Sequence, residues 1–394
     1  MSALTQHKNI PKGWSSKRIE ELASINTGDK DTQDRVADGK YPFYVRSQKV
    51  ERIDSYGFDG EAVLTSGDGV GVGKIYHYVN GKFDYHQRVY NIHNFSKEIL
   101  GKYLFLYFSK NFYRRVSMMS AKNSVDSVRR EMIADMQVVF PNVDEQKRIV
   151  NIMDTFDYSI ENLRRLIKIK KSIKLGLTQK LLTGEIRLPG FKSKWKETHL
   201  NQLAKIYDGT HQTPTYVEKG VPFLSVEHLS ANDYQNTKFI SEEVYKNESK
   251  RVKIQKGDIL MTRIGSIGAV KYIDWDIKAS FYVTLALLKV SKDVDAESLS
   301  FFLSGPEFQK ELWRKTLHVA FPNKINLGDI GECKITLPSD VEEQKAIANV
   351  LRTASREIEV LENKIKVLRG QRKYLLDNLL SGEIRTPDTL SIPK

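Results

Sequence analysis

Two stretches of this chain repeat at a single offset. Glu145-Gln146-Lys147-Arg148-Ile149 returns as Glu343-Gln344-Lys345-Ala346-Ile347, and Leu181-Leu182-Thr183-Gly184-Glu185-Ile186-Arg187 returns as Leu379-Leu380-Ser381-Gly382-Glu383-Ile384-Arg385. Both second copies lie 198 residues after the first, so the interval between the motifs repeats without a gap. A duplication of this kind fixes the architecture before any single residue is interpreted. Whatever the interval encodes, the chain builds it twice.

Inside each copy the apolar positions recur every three or four residues, which is helix periodicity. The first copy places Ile149, Ile152, Phe156, Ile160, Leu163, Ile167, Ile173, Leu177 and Leu181 on this spacing; the second places Ile347, Val350, Ala354, Ile358, Leu361, Ile365, Leu368, Leu375 and Leu379. The stripe is about one side chain wide, the seam of a helix that pairs with another helix. Asn142 with Glu145, and Ser339 with Glu342, have capping-box spacing just after Pro141 and Pro338. Gly184 and Gly382 stand where a C-terminal glycine would release the last turn. Each helix is then about 41 residues, or roughly 60 Å.

Before each helix lies a longer mixed segment, and these two echo each other faintly. Trp14, Ile19, Leu22, Ala23 and Ile25 are answered at the same spacing by Trp195, Leu200, Leu203, Ala204 and Ile206. Pro42 to Val45 is answered by Pro222 to Val226, and Gly60 to Thr65 by Lys256 to Thr262. The stretches Lys74 to Val79, Arg88 to Ile92, Ala269 to Ile273 and Phe281 to Val290 read as strands between glycine-rich turns. The segments are therefore mixed α/β (α+β) modules. The expected division is a module over 1–142, a helix over 143–187, a module over 188–338, a helix over 339–386 and a tail over 387–394. The simplest arrangement sets the helices antiparallel as a coiled coil, with the modules at opposite ends about an approximate two-fold axis.

Composition narrows the class. At roughly 100–200 residues per domain, 394 residues imply two or three domains. Hydrophobic residues at 40% and charged residues at 28% are ordinary for a packed globular protein. Cys333 is the single cysteine, so no disulfide framework and no cysteine-based metal site is expected, which fits a reducing cytoplasm. No apolar run reaches the ~18 residues of a membrane span, and Met1 to Trp14 lacks the apolar core of a secretory signal. The expectation is a cytoplasmic protein with no membrane partner. The formal net charge of +13 favours a polyanionic partner. The excess is spread over both modules and both helices, so a grip shared along the molecule and with other subunits is expected rather than one groove-binding patch.

With this order of parts, the chain resembles the specificity (S) subunits of type I restriction-modification systems. The marks are the Pro-(x)n-Glu-Gln-Lys-x-Ile helix openings at Pro141 to Ile149 and Pro338 to Ile347, and the Leu-Leu-Thr/Ser-Gly-Glu-Ile-Arg closings. Weaker marks are the opening motifs at Trp14 and Trp195 and the Gly-Asp-Ile-Leu-Met-Thr-Arg-Ile-Gly stretch from Gly257 to Gly265, from which the first module departs at Gly60 to Gly69. The resemblance implies two target recognition domains, each reading one half of a bipartite double-stranded DNA target, with the helices setting the gap. It implies no catalysis and no cofactor in this chain. It also implies two methyltransferase subunits that bind S-adenosylmethionine and methylate adenine, and two restriction subunits that use ATP and Mg.

The residues agree with a non-catalytic role. No Asn-Pro-Pro-Tyr-like tetrapeptide for flipped-adenine chemistry occurs, and Gly69 to Ile75 is not a Walker loop, because Asp68 replaces its first glycine and Ile75 its Ser or Thr. A stand-alone modification enzyme lacks its motifs. A coiled-coil scaffold whose modules bind protein accounts for the helices but not for two diverged modules on near-identical spacers.

DNA contact calls for basic groups on phosphates and for hydrogen-bonding side chains on base edges. In the first module Arg46, Ser47, Lys49 and Arg52 form one cluster, His86, Gln87 and Arg88 a second, and Lys122, Asn123, Ser124, Arg129 and Arg130 a third. In the second module Thr210, His211, Gln212 and Thr213 precede a proline, Arg263 and Ser266 fall in the glycine-rich turn, and Asn323 and Lys324 match Lys122 and Asn123. His86 and His211 read as structural histidines rather than catalytic ones.

Overall fold

The computed structural model describes residues 10–119 and 127–390. The chain divides into two compact units. One comprises Met1–Arg164 with Lys364–Lys394, the other Arg165–Asn363. Each unit therefore contains one module, the first part of the long helix that follows it and the last part of the other long helix.

In the first unit the strand Ser15–Arg18 pairs antiparallel with Gln137–Phe140, bringing the two ends of the module together. A six-stranded sheet runs in the order Ser24–Thr27, Val89–His93, Phe58–Ser66, Tyr76–Tyr85, Tyr41–Tyr44, Glu51–Ile53. All neighbours are antiparallel except Tyr41–Tyr44 beside Tyr76–Tyr85, where Phe43 faces Asp84 and Tyr44 faces Tyr85. The helix Gly101–Met119 buries Tyr103, Leu104, Phe108 and Phe112 in a core shared with Ile19, Val63 and Ile92.

The second unit repeats the plan. Trp195–His199 pairs with Lys334–Pro338. One sheet runs Ala204–Asp208, Leu285–Val290, Ile259–Thr262, Val270–Tyr272, and another Tyr216–Val217, Lys238–Ile240, Val221–Leu224, Ser280–Phe281. The parallel pair returns as Val221–Leu224 beside Ser280–Phe281. The ten-residue strand Tyr76–Tyr85 is here broken into Val270–Tyr272 and Ser280–Phe281, which is why one sheet becomes two. Two shorter helices, Ala296–Ser304 and Pro306–Lys315, stand in place of one. They part at Gly305-Pro306, where proline opens a new helix.

The expected strands form with shifted limits. Lys74 lies in a turn, its N–H bonded to the Gly71 carbonyl, so the first strand starts at Tyr76. The stretch from Phe281 to Val290 is interrupted by a turn in which the Leu285 N–H bonds the Tyr282 carbonyl.

The long helices are Val143–Leu182, 40 residues, and Val341–Ser381, 41 residues. In the first, Asn142 Oδ1 accepts from the Glu145 N–H at 2.9 Å. The Ser339 cap does not form. Ser339 donates to the Lys194 carbonyl, and Asp340 Oδ1 accepts from the Glu342 N–H instead. Asp340 is the residue 198 after Asn142, so the repeat itself marks the true cap. The buried seam is Ile149, Met153, Ile160 and Ile167 on one helix and Ile347, Leu351, Ile358 and Ile365 on the other, with identical spacing. It is narrower than the sequence stripe, since Ile173 is half exposed.

The repeated Glu-Gln pair has a physical reason in each half. Gln146 lashes the helix to its own module: its amide donates to the Glu98 and Pro141 carbonyls and its oxygen accepts from the Leu100 N–H, all at 2.8–2.9 Å. Gln344 does the same at the Pro338 carbonyl and the Asp295 N–H. Glu145 and Glu343 are buried and accept from the arginine that follows the other helix, Arg385 and Arg187 respectively. Those arginines lie over the Trp14 and Trp195 rings. Gly184 and Gly382 have φ of +72° and +75°. A Cβ at Gly382 would come within 2.9 Å of Pro11, so glycine is required there twice over.

Candidate nucleic-acid interface

Strand pairing sets the loops of the two modules in correspondence. Ser66 faces Val89 in the first module and Thr262 faces Leu285 in the second. The His86 N–H bonds the Tyr44 carbonyl as the Tyr282 N–H bonds Leu224, and the Gln87 N–H bonds Lys30 as the Val283 N–H bonds Thr210. Hence in each module the loops after three strands and the segment entering the last strand gather at one end of the strands.

In the first module that edge holds an alternating set of charges. Arg46 Nη1 donates to Asp68 Oδ1 at 3.0 Å, and Arg88 Nε lies 3.7 Å from Asp68 Oδ2. Gln87 Nε2 donates to Asp31 Oδ2 at 3.1 Å. His86 is 2% exposed, and its Nδ1 accepts the Arg88 N–H at 2.9 Å. That bond requires the tautomer protonated at Nε2, which points toward Asp31 Oδ2 at 3.8 Å. Burial pushes the imidazole below its ordinary pKa and Arg46 adds to the effect, so His86 is neutral at pH 7. Thr27, Gly67, Asp68, Gln87, Arg88, Tyr90 and the segment 127–131 line an open cleft. Arg129, Arg130 and Glu131 are among the residues that line it.

The remaining first-module candidates are placed differently. Arg52 donates through Nε and Nη2 to the Gly39 and Lys40 carbonyls, and Lys49 pairs with Glu51, both on the hairpin Tyr41–Tyr44/Glu51–Ile53. Ser47 Oγ accepts from the Lys49 N–H, and its carbonyl contacts His77 Nε2. Lys122, Asn123 and Ser124 lie outside the described residues.

In the second module Asp208 organises one cluster. Its carboxylate meets His211 Nε2 at 2.6 Å and a close contact from Arg251. Burial alone would raise this carboxyl; the hydrogen bonds from His211 and Arg251 outweigh burial and hold it below the ordinary range. Thr210, His211, Asn247, Arg251 and Ser280 line a depression there, and Thr213 Oγ1 lies 3.3 Å from the Tyr282 hydroxyl. Arg263 is buried. Its Nε donates to the Ile325 carbonyl and its Nη1 to the Val283 carbonyl, both at 3.1 Å, so it stitches three segments from beneath. Ser266 is exposed in the turn above. Asn323 accepts from the Gly265 N–H, and Lys324 is exposed on a strip bridged to Ile264 and Leu317.

Sequence reasoning sought cations and neutral readers, and so passed over Asp68 and Asp31, which hold the first-module loops in place. The signal was present as Gly67-Asp68-Gly69: a glycine at φ +84° follows an aspartate whose carbonyl accepts from Ser66 Oγ at 2.6 Å. Among the described residues no helix is long and apolar enough to cross a membrane.

The sequence matches the family model described as type I restriction modification DNA specificity domain twice, over residues 11–171 and 192–369. It is 24% identical over 411 residues to the type I restriction enzyme MjaVIII specificity subunit of Methanocaldococcus jannaschii, covering 95% of this chain and 94% of the relative. The fold is similar to that of a type I restriction-modification S subunit from M. genitalium, with a TM-score of 0.66 at 17% identity over 99% of this chain and 100% of that one. A subunit from Thermoanaerobacter tengcongensis gives a TM-score of 0.53 at 15% identity, covering 97% and 100%.

Proposed function

We propose how this chain works from what it is: it belongs to the type I restriction-modification DNA specificity family, and its two modules are independent readers of two DNA half-sites. The observation that carries this reading is a contrast. Both halves share the Glu–Arg clasp and a glutamine bonded to the Pro carbonyl and to a module N–H, whereas the loop edges differ at equivalent places, Gly67 against Arg263 and Arg88 against Thr284. A scaffold that held one kind of protein partner would have no use for two different edges on one frame.

The modules over 1–142 and 188–338 supply the specificity, and the helices over 143–187 and 339–386 set the spacing and dock the methyltransferase. In the first module Arg46, Gln87, Arg88 and Arg129 face the DNA, joined by Ser47 and Lys49 at the margins; Lys122 and Asn123 are kept as contacts on their sequence alone. In the second Thr210, His211, Thr213, Ser266, Asn323 and Lys324 do so. Arg52, His86 and Arg263 act from beneath, holding the loops that make contact. The chain has no chemistry of its own. Adenine methylation with S-adenosylmethionine, and cleavage with ATP and Mg, belong to two methyltransferase and two restriction subunits in the cytoplasm.

Exchanging residues 1–141 for the corresponding module of another specificity subunit tests independence. The methylated motif should change in one half-site and keep the other. A change in both would end the two-reader account.

A further inference from the structure

The geometry points to Arg88 as a guanine reader, aimed by Asp68 and fixed at its backbone by His86, so that the half-site taken by the first module contains a guanine. This deepens the DNA-reading role proposed above and rests on it.

Arg88 is held at two places on its backbone and has one ionic neighbour on its side chain. Its N–H donates to His86 Nδ1 at 2.9 Å, and its carbonyl accepts from the Gly67 N–H at 2.7 Å. Its Nε leans on Asp68 Oδ2 at 3.7 Å. Asp68 is itself fixed by Arg46 on its other oxygen and by Ser66 at its carbonyl. The Arg88 side chain is nonetheless 66% exposed, and among the described residues nothing else bonds its Nη atoms. What remains is a two-pronged donor on a clamped stem, opening into the cleft shared with Arg129 and Arg130.

The chemistry separates two uses of such an arginine. A phosphate contact gains nothing from a carboxylate beside it, because the carboxylate repels the phosphate. A base contact gains orientation: guanine alone presents two acceptors, O6 and N7, that match the guanidinium fork in the major groove. An arginine oriented before binding also loses less rotamer freedom on contact.

The second module has no equivalent. Thr284 occupies the place of Arg88, and its Oγ1 accepts from the Val226 N–H at 3.1 Å. Arg263 occupies the place of Gly67 and directs its guanidinium to the Ile325 and Val283 carbonyls. The guanine reading is therefore a property of the first half-site.

The test is methylation mapping and duplex binding with the full chain and its methyltransferase subunit. Arg88→Ala should turn one guanine of the first half-site degenerate, with discrimination there falling roughly 5- to 150-fold, the range of one bidentate pair, while the second half-site stays intact. Arg88→Lys, which keeps charge and loses the fork, should relax the same base. Asp68→Asn should weaken discrimination there while holding unrelated duplex at least as tightly as the parent. Replacing that guanine with 7-deazaguanine should weaken binding by the parent and not by the Arg88→Ala complex. An unchanged motif with uniformly weaker methylation would make Arg88 a phosphate contact and overturn the inference, as would a first half-site without guanine. A parent complex that assembles but yields no motif would instead remove the DNA-reading role on which the inference rests.

Discussion

Arg187 clasps Glu343 with two hydrogen bonds, Nε to Oε1 at 2.5 Å and Nη2 to Oε2 at 2.7 Å. The same clasp recurs 198 residues on in one partner and 198 residues back in the other, as Arg385 to Glu145 at 2.7 and 2.6 Å. In both, the arginine follows one helix and the glutamate opens the other. Each module is therefore locked by both helices, and the repeat is reciprocal rather than merely tandem.

Glu343 is fully buried, and besides Arg187 it accepts from Ser193 Oγ at 2.9 Å. Removing the arginine leaves a buried carboxylate without its counter-charge, a loss of about 3 kcal/mol, at the low end for buried pairs because Arg187 is itself about a third exposed. Arg187→Ala should lower the stability of the second unit by that amount in urea denaturation. Glu343→Gln in the same background should recover part of it, because the uncompensated charge is gone.

Arg263 is a stability residue for the second reading edge. Arg263→Ala strands the Ile325 and Val283 carbonyls and should cost about 2 kcal/mol, seen as a lower unfolding temperature. Recognition of the second half-site should weaken with it, because Ser266 and Asn323 sit on the segments that Arg263 joins. The first half-site should be unaffected.

Acid should loosen the first module. Burial holds His86 and His77 below the ordinary histidine value of 6.5. The unfolded chain thus takes up protons first as pH falls, so stability is full above about pH 7 and declines from about pH 6.5 downward. Denaturation midpoints measured from pH 7.5 to 5.5 should show this slope, and His86→Gln with His77→Gln should flatten it.

The spacing role predicts a graded effect. Asp157 accepts from Arg372 at 2.7 Å in the first unit, and Lys170 pairs with Glu357 at 2.7 Å in the second, so an insertion in one helix alone would break these pairings. Four residues added after Arg164 and four after Lys364 lengthen both by about 6 Å. The methylated motif should keep both half-sites and gain about two base pairs between them, at 3.4 Å per base pair.

The helices, the duplication and the order of parts were legible because periodicity and a constant offset are local signals. The offset even marks Asp340 as the cap where Ser339 was expected, since Asp340 is the counterpart of Asn142. What Glu145 and Arg385 do was not legible, because the partners are 240 residues apart in sequence and each looks like an ordinary surface charge. The site was readable as clusters and not as members. Arg52 and Arg88 are alike in sequence, yet one ends on backbone carbonyls and the other leans on Asp68 with its fork open. Only the fold decides which arginine is already engaged.

Whether one chain carries two separate DNA readers is decided by co-expressing it with its methyltransferase subunit and mapping modified adenines by single-molecule sequencing. One bipartite motif is expected, two short half-sites around a gap of constant length. A single contiguous motif, or no methylation from a complex that assembles in solution, would contradict it.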